Sequence, residues 1–257
     1  MTVNNRLTEL LAKSTGNLLN IYCTAGFPTL SDTPLVIRAL EKAGVDMIEI
    51  GIPFSDPLAD GPTIQKSNMK ALENGMTVDL LFDQLSEIQF SVPMILMGYF
   101  NPILQYGVDR FCARCASIGI SGLIIPDLPL EYYVSNYKEV FEEHNLCNIC
   151  LVTPQTSEAR IRYIDEYSSG FIYAVSSSST TGSKSTEGAV DGYLQKLCSM
   201  KLHNPIMTGF NIHDRESFEK ASYHTQGAII GSAFIRELSK SNNIEETTLS
   251  FIRSIKS

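Results

Sequence analysis

Eight short apolar runs recur along the chain: LLNIYC from Leu18, MIEIGI from Met47, PMILMGY from Pro93, GLIIPD from Gly122, NICLVT from Asn148, FIYAV from Phe171, PIMTGF from Pro205 and GAIIGS from Gly227. Their shortness and near-continuous hydrophobicity predict strands buried on both faces. Between them lie patterns of helical period: SDTPLVIRALEKAG, TIQKSNMKALENG, VDRFCARCASIG, EYYVSNYKEVFEEH, SEARIRYIDEYS, VDGYLQKLCSM and HDRESFEKASYH. In the first of these Ser31 is expected to cap the start, Pro34 to sit in the first turn and Gly44 to end the helix. Strands alternating with helices imply parallel pairing, and eight repeats match the closure of a (β/α)8 (TIM) barrel. The expected fold is therefore α/β, one barrel over residues 1–257 with an extra N-terminal helix. An open doubly wound sheet would show the same alternation.

Composition narrows the function classes. Hydrophobic residues make up 44% and charged residues 19%, a globular balance. No apolar run reaches the roughly 18 residues of a membrane span. The opening MTVNNRLTELLAKS lacks the basic, apolar and small-residue regions of a secretory signal, so a cytoplasmic location is expected. A net charge of −8 gives no basic footprint for nucleic acid or anionic membrane, and points to a small molecule or another protein as partner. Cys112/Cys115 and Cys147/Cys150 form two C-x2-C pairs. Thirty-one residues separate them, against the roughly 15–20 of a zinc ribbon, so no metal site is expected.

Glu49 interrupts the apolar strand Met47–Ile52. Alternation puts it on the side of Met47 and Gly51, opposite Ile48 and Ile50. If the isoleucines pack on helices, Glu49 points into the barrel near its C-terminal mouth, where desolvation raises a carboxyl pKa toward neutrality and suits it to proton transfer. The alternative is a structural carboxylate paired with a buried base. The loop IPFSDPLADGPTIQ follows, stiff with three prolines and carrying Asp56 and Asp60. Asp60 reads either as a positioned carboxylate or as the cap of the next helix. Glycines recur where three late loops begin: Thr181-Gly182 in the Ser-rich segment SSSSTTGSKSTEG, Gly209-Phe210-Asn211 after the seventh strand and Gly231-Ser232 after the eighth. That recurrence suits a phosphate cradle of backbone N–H and hydroxyl donors. The Ser-rich segment follows one strand and precedes a helix, which favours a long loop at the active end over an inter-domain linker.

Together these residues resemble the tryptophan synthase alpha subunit family, from about Ile21 to Phe234. The most specific stretch is EIGIPFSDPLADGPTIQ, supported by YCTAGFPT, MGYFNPIL, GLIIPDLP, FIYAVSSSSTTG and GFNI. The resemblance implies a (β/α)8 barrel that cleaves indole-3-glycerol phosphate to indole and glyceraldehyde 3-phosphate without a cofactor of its own. It also implies an alpha2beta2 heterotetramer whose beta subunit carries pyridoxal phosphate. It puts the acid/base role on Glu49, the indole N–H acceptor on Asp60, and the substrate pocket on Tyr22, Met97, Tyr99, Ile124, Leu151, Tyr173 and Phe210. Phosphate contacts fall on Thr181, Gly182, Gly209, Asn211, Gly231 and Ser232, and the partner face on Asp56, Pro57, Asn101, Asp127 and Pro129. Two departures stand out. Ser177, Ser178 and Ser179 precede the Thr-Gly where relatives carry Arg or Gly, and Asn211 replaces a common glycine. A subunit that activates its partner but has lost catalysis is the competing reading, and retention of Glu49, Asp60 and Tyr173 argues against it.

Overall fold

The computed structural model describes residues 3–175, 187–209 and 211–256. The eight strands are β1 (Leu18–Thr24), β2 (Met47–Gly51), β3 (Met94–Met97), β4 (Gly122–Ile124), β5 (Cys147–Val152), β6 (Ile172–Val175), β7 (Ile206–Gly209) and β8 (Gly227–Ile230). They pair in sequence order, every pair parallel, and β8 returns to β1 to close the barrel. Closure excludes the open sheet.

Strand alternation splits the core into two layers. Met47, Ile95, Ile124, Cys147, Ile149, Phe171, Met207 and Ile229 fill the barrel interior. Ile21, Ile48, Ile50, Leu96, Leu123, Ile172 and Ile230 point outward into the layer between barrel and helices, to which the helices contribute Phe82, Phe111, Phe141 and Phe234. Ile48 and Ile50 thus pack outward as the alternation requires, which turns Glu49 inward. Cys147 and Cys150, three apart on one strand, face opposite layers. Among the described residues no group of three or more His, Cys, Asp or Glu side chains could hold a metal ion.

The helices are α1 (Arg6–Lys13), α2 (Asp32–Lys42), α3 (Pro62–Glu73), α4 (Val78–Ser86), α5 (Phe100–Tyr106), α6 (Val108–Ile118), α7 (Leu130–Asn136), α8 (Lys138–Glu143), α9 (Glu158–Tyr167), α10 (Glu187–Ser199), α11 (Arg215–His224), α12 (Ser232–Leu238) and α13 (Ile244–Lys256). Helix α2 ends before Gly44, which takes the left-handed φ of +79°. Ser31 stands at its N-cap position but makes no capping hydrogen bond with its side chain, because its own backbone is already helical. The segment EYYVSNYKEVFEEH divides into α7 and α8 at Tyr137, whose φ of −130° interrupts the helix.

The extra N-terminal helix α1 starts from a capping box in which the Asn5 side chain accepts from the Leu7 and Thr8 N–H groups. Asn5 also donates to the Ser121 carbonyl at 2.8 Å. Leu7, wholly buried, packs into the barrel-interior cluster beside Leu18 and Phe171. It closes the floor of the barrel at the end opposite the mouth. Leu7→Ala leaves a cavity there and should cost about 2–5 kcal/mol. A urea unfolding midpoint equal to wild type would mean that the floor does not depend on Leu7.

Candidate active site

At the C-terminal ends of β1, β2 and β6 the interior layer changes from apolar to ionisable. Glu49 is 1% exposed. Asn20 Nδ2 donates to its Oε2 at 3.0 Å, so its hydrogen-bond partner is a neutral amide and not a buried base. Burial is the main cause that pushes the Glu49 carboxyl up to about 8; the Asn20 hydrogen bond opposes it and the charge of Asp60 adds to it.

Asp60 sits at the end of the loop after β2. The Asp60 N–H donates to the Pro57 carbonyl at 3.0 Å and the Ala59 N–H donates to the Tyr99 hydroxyl at 2.9 Å, which fastens the loop tip to the end of β3. Phe54 stacks on Tyr99 with ring centroids 5.2 Å apart. Helix α3 is capped by Gly61 with Pro62 in its first turn, so the reading of Asp60 as the helix cap falls. Its carboxylate instead accepts from Asn68 Nδ2 of α3 at 3.2 Å. Burial raises the Asp60 carboxyl to about 6 against the hydrogen bonds from Asn68 and Tyr99.

Tyr22 and Tyr173 complete the cluster. Both phenols are held well above their ordinary pKa, chiefly by burial, and both feel the charges of Glu49 and Asp60. Each hydroxyl occupies space above a glycine. A Cβ on Gly51 would lie 2.0 Å from the Tyr22 hydroxyl, and one on Gly209 would lie 2.2 Å from that of Tyr173. Ile124 is fully buried in the interior layer, while Met97 and Leu151 are half-buried against it. The wall facing the carboxyls is therefore aromatic and apolar.

The late-loop residues fall around the same rim. Gly209 ends β7, Gly231 is the N-cap of α12 and Ser232 its first residue. A Cβ on Gly231 would meet the Tyr22 Cβ at 3.3 Å, so this turn lies directly beside the aromatic wall. Asn211 adopts φ +58°, the left-handed region that glycine favours and asparagine tolerates better than other side chains. Ser177, Ser178, Ser179, Thr181, Gly182 and Phe210 lie outside the described residues.

Of the expected partner-face residues, Asp56, Asn101, Asp127 and Pro129 are exposed, whereas Pro57 is buried within its own loop. Asp127 accepts from the Phe100 N–H at 2.8 Å, tying the end of β4 to the start of α5 beside Asn101. Leu58, which sequence reasoning did not single out, is 87% exposed two residues after Asp56. Asn20 and Asn68 were also missed. For Asn20 the available signal was a carboxamide inside an apolar strand, on the same side as Tyr22.

A closed parallel barrel whose mouth gathers two carboxyls and two phenols beside an apolar wall has the architecture of a barrel enzyme's active site. The profile of the tryptophan synthase alpha chain family matches residues 7–255, more of the chain than the motifs alone span. The chain is 56% identical to the tryptophan synthase alpha chain of Flavobacterium johnsoniae over 93% of its own length and 95% of the relative's. With that of Christiangramia forsetii the identity is 52%, covering 98% of each. The crystal structure of the Legionella pneumophila tryptophan synthase alpha chain superposes with a TM-score of 0.88 at 29% identity, over 98% of this chain and 96% of that one. An aminoacrylate-bound tryptophan synthase from M. tuberculosis gives 0.85 at 28% identity, over 98% and 100%. The chain belongs to the tryptophan synthase alpha chain family, lyase-type enzyme subunits of tryptophan biosynthesis.

Proposed function

We propose that this chain cleaves indole-3-glycerol phosphate to indole and glyceraldehyde 3-phosphate, with Glu49 moving the protons and Asp60 holding the indole N–H. The reaction breaks the bond between indole C3 and the side chain. C3 must gain a proton, the ring nitrogen must carry positive charge in passing, and the neighbouring glycerol hydroxyl must lose a proton to become an aldehyde. The observation that carries this reading is the pair of carboxyls held at the barrel mouth, Glu49 buried in the interior on Asn20 and Asp60 fixed by Asn68, with burial raising Glu49 to about 8 and Asp60 to about 6. Near pH 7 Glu49 holds a proton to give to C3, and its carboxylate then takes the hydroxyl proton. Asp60, ionised, offsets the charge on nitrogen. Each proton taken is returned, so the chain's own step needs no cofactor, and pyridoxal phosphate belongs to the beta subunit.

Tyr22, Met97, Tyr99, Ile124, Leu151, Tyr173 and Phe210 are read as the indole pocket. Gly209, Asn211, Gly231 and Ser232, with Thr181 and Gly182, are read as the phosphate cradle. Incubating the purified chain with indole-3-glycerol phosphate, alone and with a beta subunit, and measuring indole tests the reading. No indole in either mixture would reject it in favour of a subunit that only activates its partner. Because the chain contains no tryptophan, binding of an indole ligand can be followed by the ligand's own fluorescence.

The partner reading is an alpha2beta2 heterotetramer, acting in the cytoplasm where a phosphorylated metabolite is retained. Among the described residues no helix is long and apolar enough to cross a membrane. An exposed Leu58 beside Asp56, on the loop that ends in Asp60, supports that loop as the contact. A basic group of the beta subunit meeting Asp56 would order the loop and set Asp60, raising turnover by orientation alone. Asp56→Ala is expected to keep the rate of the isolated chain and lose most of the acceleration by the beta subunit. Equal acceleration of both proteins at saturating beta subunit would remove Asp56 from the coupling.

A further inference from the structure

The interior of an eight-stranded barrel is normally filled by branched apolar side chains, and Asn20 departs from that rule next to the reacting carboxyl. β1 lies beside β2 with Asn20 paired to Met47 and Tyr22 to Glu49. Asn20 is wholly buried, and its Nδ2 reaches Glu49 Oε2 at 3.0 Å. Its other end, Oδ1, is buried with no hydrogen-bond partner. A buried acceptor left unpaired carries a desolvation cost that an aliphatic residue would avoid. A carboxamide has donors at one end and an acceptor at the other, nearly equal in shape, so a half-turn about χ2 exchanges them in place. A carboxylate can only accept; a carboxylic acid also donates. The unpaired Oδ1 is the acceptor that a protonated Glu49 requires.

We propose that Asn20 is a positioning residue that keeps Glu49 hydrogen-bonded in one orientation both before and after it gives up its proton, by turning its carboxamide over. The inference deepens the proposed reaction and rests on that reading of Glu49. When the Glu49 O–H bond breaks and the proton bonds to indole C3, Nδ2 takes over from Oδ1 as partner. When the carboxylate recovers a proton from the glycerol hydroxyl, Oδ1 returns. The charge-assisted bond to the carboxylate is the stronger of the two. Of the groups acting on Glu49, Asn20 favours the anion and Asp60 opposes it. Tyr22 and Cys23 from β1 and Tyr173 from β6 face the same charge.

Two measurements on the full chain without substrate test this. In labelled wild-type protein the Asn20 side-chain amide resonances are expected to move with pH along one curve, with the same midpoint as the Glu49 carboxyl carbon. In Asn20→Leu, which keeps the branched heavy-atom shape and removes the amide, the Glu49 midpoint is expected to rise by about one pH unit. Indole formation by that variant should fall about tenfold in kcat with KM nearly unchanged. Amide resonances indifferent to the titration of Glu49, or equal Glu49 midpoints in the two proteins, would overturn the proposal. If Asn20→Leu does not fold, the wild-type titration still decides. Coincident midpoints in a chain that makes no indole would leave the Asn20–Glu49 coupling standing and reject the reaction instead.

Discussion

Glu49→Gln should lower indole formation about a thousandfold or more while leaving indole-3-glycerol phosphate binding within a few-fold of wild type. The glutamine carbonyl can still accept from Asn20 Nδ2, so the barrel interior keeps its shape and only the transferable proton is lost. The same variant has a second, opposite effect. The folded chain holds the Glu49 proton up to about 8, whereas the ordinary value is 4.5. Between those values the folded state binds a proton that the unfolded state has released, so this residue makes folding less favourable as pH rises through that window. Glutamine removes the effect. Glu49→Gln should therefore melt above wild type near pH 9, with the gap closing toward pH 4.5. Near-normal turnover would sink the acid/base assignment, and a melting difference independent of pH would sink the burial account.

For Asp60→Asn the expected loss is about a hundredfold in kcat/KM, since an amide cannot offset the charge on the indole nitrogen. The pH profile separates the two carboxyls. Wild-type kcat/KM should fall as pH drops through about 6, where Asp60 gains its proton, and again as pH rises through about 8, where Glu49 loses its own. In Asp60→Asn the lower limb should vanish and the upper limb remain. An unchanged bell with full activity in a folded variant would reduce Asp60 to a loop acid that Asn68 happens to hold.

The eight strands were legible because each is a short apolar run that the barrel buries on both faces, and β2 betrayed its inward face through Glu49. Helices α4, α5 and α13 were not among the expected elements. α5 is seven residues long with Pro102 inside its first turns, so Phe100–Tyr106 reads as loop, and its start depends on Asp127 from a different strand end. The carboxylates of the site could be singled out because charge inside or beside an apolar strand is conspicuous. Their asparagine partners could not. Asn20 and Asn68 lie 29 and 8 residues from the groups they hold, and only closure of β1 on β2 and the path of α3 bring them there. Read from the residues alone, Asp60 was ambiguous between cap and carboxylate; only the family resemblance favoured the carboxylate, and Gly61 proved to be the cap.

The two glycines beneath the tyrosine hydroxyls decide how the site can change size. At Gly51 and Gly209 the volume of a methyl group is already taken by the tip of an aromatic ring from a neighbouring strand, Tyr22 in one case and Tyr173 in the other. An added methyl at either position must drive a rigid ring away from the strand it rests on, and two such rings border both carboxyls. Room for a bulkier indole is therefore gained by trimming Tyr22 or Tyr173, with both glycines left alone. A library that randomises the glycines first would consist mostly of proteins in which the aromatic wall has shifted against Glu49.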